Sequence, residues 1–109
     1  MNEAENIINE IKEKLIDTIN PKAIILFGST AKNDNDENSD IDLLIIWDGA
    51  EDLNNVQRRI KLREIIGFVN KPLDILTCTS DELKQVIKDD RSFTATIIKE
   101  GKIIYGGFN

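Results

Sequence analysis

The chain has no histidine, a single cysteine and a deficit of positive charge. Without imidazole, the usual acid–base group near neutral pH is missing, so any proton transfer falls to carboxylates. One cysteine leaves no internal disulfide, and a cytoplasmic location is the resulting expectation. No apolar run approaches the roughly 20 residues that a membrane span needs. The opening residues, MNEAEN, are polar and acidic and do not read as a secretory signal. Lysine and arginine number 14 against 20 aspartates and glutamates, a formal charge of −6. Phosphate contacts dominate non-specific binding to DNA and RNA, so an acidic chain is poorly suited to a nucleic-acid polymer. A basic protein partner suits it better.

What is present is enough for one domain, residues 1–109. Hydrophobic residues make up 40% of the chain, although a chain this short buries only about two-thirds of its unfolded surface. Glu3 to Ile19 reads as an amphipathic helix, with Ala4, Ile7, Ile8, Ile11, Leu15 and Ile19 at steps of three and four. Asn20-Pro21 ends it. Lys22 to Phe27 is a strand whose continuous apolar run predicts cover on both faces. Asp40 to Trp47 is a second strand, and Asp48-Gly49 a turn.

Asp52 to Phe68 reads as a second helix, broken by Asn70-Lys71-Pro72. Leu53, Val56, Ile60 and Ile66 form its expected inner stripe, with Gln57, Arg58, Arg59 and Lys61 outside. Leu73 to Thr77 is a third strand. Thr79-Ser80-Asp81-Glu82 has capping-box spacing and opens a short helix with Leu83, Val86 and Ile87 inside. Ser92 to Glu100 reads as helix despite its β-branched residues, Gly101 caps it, and Lys102 to Tyr105 is a last strand. Cys78 reads as a small buried residue and Arg91 as a surface charge. Trp47 and Tyr105 either pack inside or flank an interface. Helices alternating with strands predict an α/β (α+β) fold with a small mixed sheet.

The chemistry concentrates in Leu26 to Ile46, LFGSTAKNDNDENSDIDLLII. Ten residues separate Ser29 from Asp40. A strand alternates its side chains, so Asp40 and Asp42 project from one face. Two adjacent carboxylates repel unless a cation lies between them, and a hard ion such as Mg²⁺ takes oxygen ligands. Leu44 and Ile46 share that face, so it has to become buried beyond the acids. Gly28 lacks a Cβ and allows close approach to the backbone. If Ser29 opens a helix, its free N–H groups and hydroxyl suit a phosphate. Each residue also has a plainer reading. Gly28 is a turn glycine, Ser29 a helix cap, Asp40 a turn acid and Asp42 a surface acid. Asp74, inside the apolar PLDIL, is an edge-strand acid, and Lys32 is a solvated lysine rather than a phosphate ligand. The acids of the Asn33 to Ser39 loop read as a solvated tip.

Gly28-Ser29, the ten-residue gap and Asp40-Ile41-Asp42 together resemble the signature of the minimal nucleotidyltransferases in the polymerase β superfamily. The likeness extends to Asp74 and to Lys99-Glu100-Gly101-Lys102. Relatives often place a glycine after the basic residue where this chain has Asn33. The resemblance implies the nucleotidyltransferase fold, a four-stranded mixed sheet packed with about four helices. It implies a two-metal site with two Mg²⁺ ions on Asp40 and Asp42, with Asp74 binding metal and activating an acceptor hydroxyl. Gly28 and Ser29 would hold the phosphates of ATP. Stand-alone domains of this kind resemble antitoxins paired with HEPN-type ribonuclease toxins, which implies AMP transfer to the toxin, commonly on tyrosine. Two other functions compete: a non-catalytic antitoxin that neutralises by contact, and an aminoglycoside-type small-molecule nucleotidyltransferase, a class that usually adds a second domain. Self-association into a homo-oligomer stays open.

Overall fold

The computed structural model describes residues 3–28 and 40–107. Along the described chain run α1 (Glu3–Thr18), β1 (Ala23–Phe27), β2 (Ile41–Ile46), α2 (Asn55–Ile66), β3 (Leu73–Cys78), α3 (Ser80–Val86), α4 (Phe93–Glu100) and β4 (Lys102–Gly106). The strands form one mixed sheet in the order β3-β2-β1-β4. β1 is antiparallel to both neighbours, whereas β2 and β3 run parallel, joined through α2. The expected four strands and four helices are all present among the described residues.

Alternation along the strands divides the core into two layers. Ile24 and Leu26 of β1 and Ile41, Leu43 and Ile45 of β2 face α1 and α2, meeting Ile7, Ile8, Ile11, Leu15, Leu62 and Ile66. Ala23, Ile25, Leu44 and Ile46 face the other way, against Leu83 of α3 and Ile97 of α4, with Cys78 buried among them. This second layer explains how a strand face that begins with carboxylates continues with leucine and isoleucine. The chain's own α3 and α4 cover the apolar part and leave the acidic end open. Trp47 is buried in the first layer. Tyr105 packs on that layer's rim and donates its hydroxyl to Asn20 Oδ1 at 2.6 Å. Asn20 takes the left-handed conformation that ends α1, φ 45°, as asparagine does more readily than most residues. Arg91 is exposed, as expected.

The helix α2 differs from its expected form. It begins later, at Asn55, because Asn54 and Gln57 form a reciprocal capping box. It ends earlier, at Ile66, because Gly67 (φ 73°) closes it with a bond from its N–H to the Arg63 carbonyl. Its inner face is also rotated. Val56 and Ile60, expected inside, are 55% and 53% exposed. The buried stripe is Arg58, Leu62 and Ile66, at steps of four. Arg58 tolerates burial because its guanidinium is satisfied: Nε donates to the Ala50 carbonyl (3.1 Å), and Nη1 to Asn55 Oδ1 (2.7 Å) and Glu82 Oε1 (2.8 Å). Glu82 belongs to the Thr79 capping box that starts α3, as its spacing predicted. One ion pair therefore ties α2 to α3. In α3 only Leu83 is buried; Val86 and Ile87, also expected inside, are exposed. Seven residues make barely two turns, which leaves room for one apolar contact row.

The rotated face is testable by urea denaturation. Leu62→Ala removes a fully buried side chain and is expected to cost about 2–4 kcal/mol. Ile60→Ala is expected to stay within about 0.5 kcal/mol. Equal losses would return Ile60 to the core.

Candidate active site

The register of the sheet assembles the acids. In β2, Asp42 stands opposite Phe27 of β1 on one side and Asp74 of β3 on the other. Asp40 precedes the strand by one residue and lies two before Asp42, on the same side of the chain. One carboxylate oxygen from each of Asp40, Asp42 and Asp74 lies within 4.8 Å of the others. The plainer reading of Asp74 is an acid on an edge strand. β3 is indeed an edge strand and Asp74 is exposed, but its side chain joins the other two acids.

The crowding shows in the electrostatics. The Asp42 carboxyl is pushed up to about 6 from its ordinary 3.8. Partial burial is the largest cause, followed by the charge of Asp74, a hydrogen bond to Asp74 and the charge of Asp40. Gly28 closes the site from β1 in the left-handed region, φ 74°. A Cβ there would collide with Asp42 Oδ2. Glycine is thus required both by the backbone and by the carboxylate lying against its α-carbon. The proposed phosphate role of Ser29 and the Lys32, Asn33 and loop readings fall outside the described residues.

These residues open into a cleft of about 490 Å³ between the sheet, α2 and α4. Asp42, Asp74 and Gly28 line it together with Arg59 and Arg63 of α2 and Phe93, Thr96 and Glu100 of α4. Phe93 meets Phe27 edge-to-face at 6.0 Å between ring centres. The sequence marks Arg59 only as an outer residue of its helix and does not single out Arg63 or Phe93. No motif carries them, because they reach the cleft only through the way α2 and α4 pack on the sheet.

A site of three carboxylates, a bare glycine and nearby arginines suits a metal-assisted reaction on a phosphate ester. The chain belongs to the polymerase β nucleotidyltransferase family, whose model matches residues 9–107. It is 37% identical over 86 residues to a Methanocaldococcus jannaschii protein assigned as a protein adenylyltransferase, covering 75% of this chain and 87% of that one. Among solved structures, a nucleotidyltransferase from Sulfolobus solfataricus shares the fold at a TM-score of 0.58 and 20% identity, over 94% of this chain and 77% of that one. A toxin–antitoxin complex with AMP-PNP is similar at a TM-score of 0.53 and 27% identity, over 91% and 73% of the two chains. No helix among the described residues is long and apolar enough to cross a membrane.

The burial and crowding that raise the Asp42 carboxyl make a prediction about the metal-free protein. A carboxyl whose folded value is raised destabilises the fold once ionised. The penalty is absent below about pH 3.8, grows as pH rises through about 6 and is complete above it. Asp42→Asn removes it, so the variant is expected to exceed the parent at pH 7.5 by about 1 kcal/mol, after allowing for solvent screening. The gain should vanish near pH 4. Thermal melts in chelator at both pH values measure this, and a variant less stable at pH 7.5 would contradict it.

Proposed function

We propose that this chain, read as a single minimal nucleotidyltransferase domain, transfers AMP from ATP to a hydroxyl of a partner protein. The partner we propose is a HEPN-type ribonuclease toxin modified on tyrosine, with this chain acting as its antitoxin. The convergence of Asp40, Asp42 and Asp74 beside Gly28 is the observation that carries the reading. Family membership and the relative assigned as a protein adenylyltransferase support the transfer and its protein substrate. The similar toxin–antitoxin complex with AMP-PNP supports the partner and the nucleotide. A lone cysteine and an acidic surface fit a cytoplasmic reaction with a basic partner.

The donor set fits divalent metal. All three groups are hard oxygen ligands, and the charges of Asp74 and Asp40, which add to burial in raising the Asp42 carboxyl, are ones a cation would offset. Asp40 and Asp42 would hold two Mg²⁺ ions, with Asp74 completing the set. When bound, the ions neutralise phosphate charge and lower the pKa of the attacking hydroxyl. Gly28 and Ser29 would hold the β- and γ-phosphates of ATP. The acceptor oxygen bonds to the α-phosphorus of ATP, and the bond from that phosphorus to the bridging oxygen of the β-phosphate breaks. Pyrophosphate leaves with the electron pair, and the hydroxyl proton passes to a carboxylate oxygen of Asp74.

Two measurements test this. With ATP labelled at the α-phosphate and the protein encoded beside this chain as acceptor, label and a mass gain of AMP should appear on the acceptor. Asp40→Ala with Asp42→Ala should reduce transfer more than about 100-fold, since even outer-sphere changes at metal sites cost up to that much. If the double variant still neutralises a toxic partner, contact alone suffices and the catalytic reading fails. Second, Asp42 has to lose its proton to bind metal. Affinity for Mn²⁺ should therefore climb with pH through about 6 and level off above it. A titration flat between pH 5 and 8 would count against metal at Asp42.

A further inference from the structure

The outer face of α2 carries a strip that the fold does not use. Val56, Arg59, Ile60 and Arg63 are related by steps of three and four, so they form one contiguous patch along the helix. Val56 and Ile60 are more than half exposed. Arg59 and Arg63 turn from this patch into the cleft that holds Asp42 and Asp74. On the opposite lip stands Phe93, 65% exposed. Exposed apolar side chains interleaved with arginine and faced by an aromatic ring have the composition of a protein-binding surface.

The two arginines are available for binding. Arg58, one residue away, has its guanidinium taken by three protein acceptors. Arg59 makes no hydrogen bond or ion pair among the described residues, and Arg63 donates only to the Leu73 carbonyl at 2.9 Å. Neither pairs with Asp42 or Asp74, although all four line one cleft. Arg59 also lines a second groove, of about 600 Å³, which shares Leu76 and Phe93 with the cleft and runs on past Leu44 toward α3. An arginine at the junction of two grooves, with no partner among the described residues, suits a carboxylate that arrives with a longer segment.

Position separates this end of the cleft from the phosphate end. Across the sheet the order is Gly28 at the end of β1, then Asp42, then Asp74 on the edge strand β3. Arg63 is bonded to the first residue of β3, farthest from β1. If the β- and γ-phosphates lie at Gly28, an in-line attack on the α-phosphorus must come from the opposite side. That side is the arginine side.

We propose that Arg59 and Arg63, with Val56, Ile60 and Phe93, form the acceptor subsite, and that the two arginines hold an acidic side chain adjacent to the hydroxyl that is modified. The substrate class is a hydroxyl-bearing acidic segment of a partner protein. The assignment rests on the proposed nucleotidyl transfer, and it runs against the −6 charge of the chain, which by itself favours basic peptides. This opposition makes the test sharp.

Two fluorescein-labelled peptides serve as probes, each centred on one tyrosine, one flanked by glutamates and the other by lysines. Binding is measured by anisotropy with Mg²⁺ and AMP-PNP present. The glutamate peptide should bind at least 10-fold more tightly. Arg59→Glu, alone and with Arg63→Glu, should reverse the preference, while thermal melts stay near the parent's for Arg59→Glu. Tighter binding of the lysine peptide, binding of neither, or a preference unchanged by Arg59→Glu overturns the proposal. So does a 10-fold rise in the ATP concentration needed for half-maximal binding with peptide preference intact, which would assign the arginines to the nucleotide. Because binding is read without turnover, the two readings fail separately. Peptide preference without AMP transfer to any acceptor sinks the enzyme reading alone, and AMP transfer without peptide preference sinks the subsite alone.

Discussion

Everything at the site depends on the position of β2 between its neighbours. Its second residue, Asp42, is held against Asp74 on one side and against the bare α-carbon of Gly28 on the other. Partial burial, and after it the like charges of Asp74 and Asp40, raise the Asp42 carboxyl to about 6. The strand stays because its remaining length is buried on both faces. Ile41, Leu43 and Ile45 are covered by α1 and α2, and Leu44 and Ile46 by α3 and α4. Each such side chain contributes roughly 1.5–3 kcal/mol on burial. Desolvation and repulsion together cost the ionised Asp42 about 1 kcal/mol after screening. Packing outweighs charge, so the carboxylates are gathered before any ligand arrives. This is pre-organisation in a concrete sense: the core holds the acids in place, and a cation bound there would relieve them.

The parts of this arrangement that lie along strands were legible in the sequence. Alternation alone placed Asp40 and Asp42 on one face, and it also raised the question of what covers Leu44 and Ile46. Gly28 was legible as a position of close approach, although the group that approaches in the structure is Asp42 itself. Asp74 was legible only through family likeness, because nothing local says which strand will pair with β2 or in what register. Parallel pairing across a helix is a long-range choice, and a slip of one residue would have turned Asp74 to the other face.

Helix faces were harder to read, and α2 shows why. Its sequence contains two interlaced rows at steps of four: Val56 and Ile60, and Arg58, Leu62 and Ile66. Periodicity favours whichever row is the more apolar at its start, and Arg58 made the true core row look like the outer one. The balance is tipped by partners far away in the chain, Ala50 and Glu82, which satisfy the guanidinium so that it can be buried. The Glu82 carboxyl is held below its ordinary value first by the Thr79 N–H and then by Arg58. The same residue thus starts α3 and anchors α2. Asp48 plays a similar part after β2, accepting from the Ser80 N–H and hydroxyl at 2.6 and 2.7 Å, and these bonds keep its carboxyl low. The start of α3 is read from spacing, but the anchoring of α2 by Glu82 and the contact of Asp48 with Ser80 are not, since each depends on where two elements meet.

Burying Arg58 has a consequence for the surface. It turns Val56 and Ile60 outward and brings Arg59 and Arg63 to the lip of the cleft, so one half-buried ion pair sets the composition of an exposed strip. The charge of the whole chain and the charge of that strip are opposite in sign, and they act over different distances. A net charge of −6 works through a field that salt screens within about 8–10 Å, and it governs encounter. An arginine fork works in contact, on one carboxylate at a time, and it governs fit. On the proposed reading, a domain of this size attracts a basic protein and still selects, at the cleft, an acidic side chain beside the acceptor hydroxyl.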